Sequence, residues 1–241
     1  MNSFPTHGRI SCSICFDRPA IWGVTKQIAA DGWALENNPC AWGSESPRFA
    51  LLGFSKGERQ SKGIGSRIHN EIPFAGFRDR LDAGLRKLGL FGETETISDH
   101  LKNTESDWAF GSVVRCSLEK DSSKSGNIIP QASGGSYRLW RDNCSRTFLA
   151  QLPERLKVVV MLSNTDSYVK ECFLRIKELH PSTKMLNPVA YSNGSVTWIH
   201  IVHFGGQGFN WMSDWLNEAP NKAGQKGAWA VQAAGYALRS E

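Results

Sequence analysis

The residues of this chain whose types and spacing could do chemistry are six cysteines, a histidine that closes an apolar run, and two loops bounded by glycine. Cys12-Ser13-Ile14-Cys15 sets two thiols a short turn apart, a spacing that suits a redox pair, half of a metal site or two unrelated thiols. Cys116 ends the apolar stretch from Trp108, and Cys144 stands at the head of an expected helix, Arg146 to Leu156. Cys40, on the turn Asn37-Asn38-Pro39, reads as a spare thiol, and Cys172, beside Phe173 and Ile176, as a small buried hydrophobe. In a chain this long without a secretory signal, metal ligation or burial is expected of these cysteines instead of a disulfide framework.

The element that must position such groups is Ser46 to Leu90. Phe49 to Leu52 is apolar without alternation, as a parallel strand buried on both faces requires, and it stops at Gly53. A loop rich in Gly, Ser and Lys follows, then a helix with Phe77, Leu81, Leu85 and Leu88 at helical spacing. In an open α/β sheet the loop beyond such a strand is where ligands bind. The same order recurs further on. Leu156 to Leu162 reads as a second buried strand, and Ser163-Asn164-Thr165-Asp166 caps a helix from Ser167 to Leu179. Val196 to Phe204 reads as another strand, ending in Gly205-Gly206-Gln207-Gly208 before a helix near Asn210. Shorter helices are expected at Lys26 to Ala30 and, packed on the outside, at Trp229 to Leu238. Lys120 to Ser136 reads as an insertion or loop.

The 241 residues carry a formal charge of +5, which permits a nucleic-acid partner without requiring one. No linker composition divides the chain, so a single domain spanning residues 1–241 is expected. No apolar stretch approaches the roughly 20 residues of a spanning helix, and a soluble, cytoplasmic monomer is expected.

Taken in order, these pieces resemble the uracil-DNA glycosylase superfamily, most of all its iron-sulfur branch, family 4 and its relatives. The resemblance rests on Cys-x-x-Cys, the Gly53 to Gly57 loop, Pro73-Phe74-Ala75-Gly76 ahead of an amphipathic helix, and Val113-Val114-Arg115-Cys116. It continues through Cys144, Val159-Val160-Met161-Leu162 and a strand ending in His203. It implies a three-layer α/β/α sandwich around a central, mostly parallel four-stranded sheet. It also implies a 4Fe-4S cluster on Cys12, Cys15, Cys116 and Cys144, with zinc as the alternative, and DNA as the partner. In such enzymes the target base is flipped out of the stack. Phe74 matches the aromatic that stacks on it, and His203 the histidine that hydrogen-bonds its carbonyl oxygen; His180-Pro181-Ser182 has similar letters but follows a helix. Lys56, Gly57 and Arg59 in the first loop, and Gly206, Gln207 and Asn210 in the last, fall where backbone phosphates would be met.

The chain departs from the family at two places. The family's first loop reads Gly-Glu-Ala/Gly-Pro-Gly, whereas here Phe54 holds the place of the acid, followed by Ser55 and Lys56. Glu58, just beyond, is the carboxylate that could orient water or stabilise the sugar cation. Ser112 stands where uracil-reading members carry Asn, and one hydroxyl cannot reproduce an amide's paired contacts. The expected activity is therefore excision of a modified base other than uracil, with Glu58, His203 and Ser112 as catalytic residues and Phe54, Ser55, Phe74 and Asn164 lining the base. Small side chains at Ser55 and Ser112 leave room for a hypermodified phage-type cytosine, such as a glucosylated hydroxymethylcytosine, which would make the protein an antiviral defence enzyme. The alternatives are repair of uracil or another deaminated base, a DNA-binding damage sensor without catalysis, and a zinc-containing α/β binding module.

Overall fold

The computed structural model describes residues 3–17, 19–120 and 135–239, without the side chains of Glu58, Arg59 and Gln207. The loop expected at 120–136 lies for the most part outside the described residues. The chain opens with short extended segments: β1 (Gly8–Arg9), β2 (Lys26–Ile28), β3 (Trp33–Glu36) and β4 (Cys40–Gly43). Then come β5 (Phe49–Gly53), α1 (Glu58–Gly63), α2 (Arg78–Lys87), α3 (Ile97–His100), β6 (Trp108–Ser112) and β7 (Ser117–Lys120). The second half runs α4 (Tyr137–Leu149), β8 (Val158–Leu162), α5 (Asp166–Leu179), β9 (Lys184–Asn187), β10 (Ala190–Ser192) and β11 (Thr197–Ile201). It closes with α6 (Met212–Leu216) and α7 (Lys222–Arg239).

The architecture is α/β, on an eight-stranded sheet of order β1-β4-β6-β5-β8-β11-β10-β9. Its middle members β6, β5, β8 and β11 are mutually parallel, with Leu51 opposite both Phe110 and Val160, and Ile199 opposite Val160. Short antiparallel strands extend both edges. A sheet of four strands was expected. The added edge strands are two to four residues long, too short to show a period in the sequence. A separate antiparallel sheet, β2-β3-β7, includes the stretch at Lys26 expected to be helical; pairing with β3 overrides its weak helical pattern.

The central strands are apolar on both sides because both faces are covered. Phe49, Leu51, Phe110, Val160 and Ile201 pack with Leu81 and Leu85 of α2, Trp215 of α6 and the alanines of α7. Ala50, Leu52, Val159, Met161 and Trp198 pack with Tyr168, Val169 and Ile176 of α5 and Leu149 of α4. Two helices differ from expectation. α4 begins at Tyr137 and ends at Leu149, so Cys144 lies in its interior and not at its start. α7 is 18 residues long, and Ala230, Ala233, Ala234 and Ala237 bury it against the sheet instead of outside it. Small residues let its backbone approach closely, a contact that an outside helix of larger side chains could not make.

α2 is seated where a side chain is missing. A Cβ on Gly84 would lie 2.4 Å from the ring of Phe204, the residue after His203. Gly84→Ala should gain about 1 kcal/mol of helix propensity and lose roughly 1–3 kcal/mol to overpacking. Net destabilisation in urea unfolding is expected; a more stable variant would show that Phe204 can step aside.

Candidate functional site

The four parallel strands end together, and their C-terminal ends carry Gly53, Ser112, Leu162 and Ile201. The chain leaving β5 passes to α2 on one face of the sheet, and the chain leaving β8 passes to α5 on the other. A crevice opens between adjacent parallel strands where successive connections part in this way. The segments that follow those strand ends are the loop at 53–57, Ser112, the turn at 163–166 and the chain from His203 onward.

His203 is mostly buried there. Its Nδ1 lies 2.8 Å from the Gly205 carbonyl oxygen and 3.1 Å from the Gly205 N–H. A proton on Nδ1 donated to the carbonyl makes Nε2 an acceptor; an N–H received from Gly205 makes Nε2 a donor. Nε2 has no hydrogen-bond partner among the described residues. Burial lowers the pKa of His203 below the usual histidine value, against the hydrogen bond to Gly205, so it works as a neutral imidazole near pH 7. The ring of Phe77 lies 5.5 Å from it.

Phe77 is the residue that sequence reasoning missed. Phe74 was expected to carry the stacking face, but it is 4% exposed, at φ +57°, with its ring edge-on to Phe77 and Phe110. It supports Phe77 from below. Phe77 is half-buried and precedes α2 as its N-cap residue, so what looked like the first core position of a helix is an aromatic beside the histidine.

Phe54 is also turned away from the crevice. Its ring sits edge-on to Tyr137 and Tyr168, packing the first loop against α4 and α5. Ser55 is half-buried in the loop, Gly57 caps α1 without a side-chain bond, and Ser112 is buried at the end of β6 opposite Gly53. Lys56 does not face solvent as phosphate contact requires: it is 3% exposed and its ammonium donates to the Arg115 carbonyl. Burial in that position removes it from any DNA surface. The side chains of Glu58, Arg59 and Gln207 lie outside the described residues. Exposed cations near the first loop are Lys62 and Arg67. Gly206 and Asn210 belong to a short 3-10 segment, Gly206–Trp211, where Asn210 is exposed and Phe209 and Trp211 are 48% and 59% exposed. The Arg80 guanidinium lies 4.9 Å from the Phe209 ring.

The opposite wall is strained and tied. Ser163 holds φ +106°, a conformation serine rarely adopts, immediately after β8. Its N–H donates to the Ile201 carbonyl, and its own carbonyl accepts the Nδ1–H of His200 at 2.8 Å. Tyr191 donates to His200 Nε2 at 3.2 Å. Asn164 is half-buried, and its carbonyl and Asp166 both take the Lys226 ammonium. His180, by contrast, bonds the Leu149 carbonyl after α5, away from the strand ends that carry the crevice.

The cysteines form a second centre beside the first loop. Val113 and Val114 donate backbone bonds to Gly53 and Phe54, and Lys56 bridges to Ser117, so the chain carrying Cys116 runs alongside the loop at 53–57. Cys15 and Cys144 are hydrogen-bonded to each other, and Cys116 lies within the electrostatic reach of Cys12, Cys15 and Cys144. The bond from Cys144 lowers the pKa of Cys15, against burial, and Asn143 donates to the same sulfur at 3.5 Å. Cys144 is raised in return, and burial pushes Cys116 up to about 11. Backbone N–H groups of Arg115 and Asn38 donate to Cys144 and Cys116. Among the described residues no three His, Cys, Asp or Glu side chains meet metal-ligand geometry. The donor chemistry nevertheless fits a thiophilic metal, because N–H donors aimed at sulfur favour thiolate over thiol. Cys40 and Cys172 are buried, and burial raises both thiols.

No protein-family model matches the chain, and no curated protein sequence matches it. Among the described residues no helix is long and apolar enough to cross a membrane.

The His200 tie predicts a pH dependence. Burial lowers its pKa from 6.5 to about 4, so between those values the unfolded chain binds a proton that the folded chain excludes. Stability must fall as pH falls through that window and be insensitive to this group above it, by about 3 kcal/mol in all. His203, His7 and His69 are lowered too and act in the same direction. Urea unfolding across the window should show the decline, and His200→Gln should flatten it.

Proposed function

We propose that the chain is a DNA glycosylase, built as the three-layer sandwich that the resemblance implies, which flips a modified base into the crevice and hydrolyses its bond to deoxyribose. The observation that carries this reading is the meeting of His203, with Nε2 uncommitted, and Phe77 at the C-terminal ends of the parallel strands. The cysteine pairs named by the resemblance, distant in sequence, also lie together beside the same loop.

The flipped base stacks on Phe77, with Phe74 behind it, a contact worth about 1–3 kcal/mol whatever the base. His203 Nε2–H donates to the base carbonyl oxygen. As the C1′–N bond breaks, its electron pair leaves on the base, and this hydrogen bond stabilises the resulting anion. Water adds its oxygen to C1′ and loses a proton that passes, through Glu58, to the departing base. Neutral His203 suits this role, since a donor already in place needs no proton uptake. Phe209 and Trp211, exposed beside the crevice, fill the gap in the duplex, while Lys62, Arg67 and Arg80 meet phosphates. Cys12, Cys15, Cys116 and Cys144 would hold a 4Fe-4S cluster, or zinc, which when bound staples the N-terminal segment, α4 and the first loop together without taking part in hydrolysis. Ser55 and Ser112, being small, favour a bulky substituted cytosine over uracil.

The test is excision from DNA containing uracil, hypoxanthine or glucosylated hydroxymethylcytosine, followed by alkaline cleavage at abasic sites. Breaks in the hypermodified DNA are expected, with His203→Ala slowing them roughly 10²–10⁴-fold and Phe209→Ala weakening duplex binding. Breaks in uracil DNA alone would restore the repair substrate. Binding without breaks in any DNA would make the protein a sensor.

A further inference from the structure

Two basic side chains are buried between the first loop and the cysteines, and neither meets a carboxylate among the described residues. Lys56 donates to the Arg115 carbonyl, and the thiols of Cys116, Cys40 and Cys144 lie within its electrostatic reach. Arg115, 2% exposed, lies in the field of Cys144, with its guanidinium 5.9 Å from the Phe4 ring and 5.5 Å from that of Phe148. Its Nε has no hydrogen-bond partner among the described residues. The place it occupies exists because residue 111 is glycine: a Cβ there would overlap Arg115 Nη1. Neither cation has an ion-pair partner among the described residues.

Burying one unpaired ion costs several kcal/mol, and burying two of the same sign side by side adds their repulsion. Lysine can shed its proton to escape this, but arginine cannot. The site therefore favours negative charge close by, and among the described residues the groups there able to supply it are thiols. Four thiolates around zinc, or around an oxidised 4Fe-4S core, carry a net charge of about −2. That balances one lysine and one arginine.

We propose that Lys56 and Arg115 are the internal counter-cations of a metal centre held by Cys12, Cys15, Cys116 and Cys144, and that Lys56 thereby fastens the loop at 53–57 to that centre. The inference rests on the metal-centre part of the reading above and is independent of base excision. Lys56 and Arg115 are positioning residues: they touch neither metal nor substrate. Their placement also accounts for a lysine in a Gly-Ser loop that points inward.

The experiment uses wild type, Lys56→Met, Arg115→Met, Lys56→Arg and the surface control Lys184→Met, purified without oxygen. Iron, sulfide and zinc are measured per chain, metal retention is followed against a chelator, and unfolding is compared with metal bound and removed. Wild type and Lys184→Met should hold metal stoichiometrically, and Lys56→Met and Arg115→Met should hold it roughly 10–100-fold more weakly, with Lys56→Arg partly restored. After metal removal the order should invert, Lys56→Met being more stable than wild type, because an apolar side chain replaces a cation without a partner. A merely structural lysine would not reverse sign with metal. Equal retention in Lys56→Met and wild type, or the same destabilisation with and without metal, would overturn the counter-cation role. A wild type that binds neither iron nor zinc would overturn the metal centre itself, whatever the excision assay shows.

Discussion

The pairing of β5 with β6 on one side and β8 on the other is the constraint on which the rest of the structure depends. Parallel strands cannot be joined by tight turns, so each connection must cross a face of the sheet and return. The connection after β5 carries α2 and that after β8 carries α5, on opposite faces, so the chain parts at the ends of these two strands. The same pairing continues beyond the sheet as backbone bonds from Val113 and Val114 to the first loop, which bring the segment of Cys116 beside it. One ladder thus positions both the crevice and the thiols.

The crevice is held by groups that stay neutral. His200 donates to the strained Ser163 turn and accepts from Tyr191, in a position with no water contact. Its imidazole bridges β11 to the end of β8 only while uncharged, since a second proton would remove the acceptor that Tyr191 uses. Stability and site geometry therefore share one protonation state. His203, three residues further on, is kept neutral by the same cause, burial, and its Nε2 has no hydrogen-bond partner among the described residues.

The thiol centre has the opposite character. Around it stand two buried basic side chains, Lys56 and Arg115, and N–H groups of Asn38, Arg115 and Asn143 are directed at sulfur. These groups favour thiolate, whereas burial, the larger influence at Cys116, favours the neutral thiol, so the thiolate form there calls for a bound cation. It also separates the roles of the two sides of the first loop: one faces the crevice, and the other, through Lys56 and Phe54, is committed to packing.

What the sequence by itself determined is what depends on near neighbours in the chain. The apolar runs of β5, β8 and β11, the helical spacing of α2 and the placing of His203 past a strand end were all legible, because period and run length follow from which faces a segment must bury. So were the cysteine pairs as candidates. The tertiary structure alone decided which side chains face what. Lys56 sits in a Gly-Ser loop that reads as solvated, and its burial depends on Cys116, Cys144 and Arg115, all remote in sequence. Phe74 and Phe77 are equivalent as letters; the positive φ of Phe74 turns its ring under Phe110 and leaves Phe77 beside His203. The edge strands and the inward face of α7 were invisible for a related reason: short pairings and alanine-lined contacts gain their energy from the partner surface, and that surface exists only once the parallel ladder has formed.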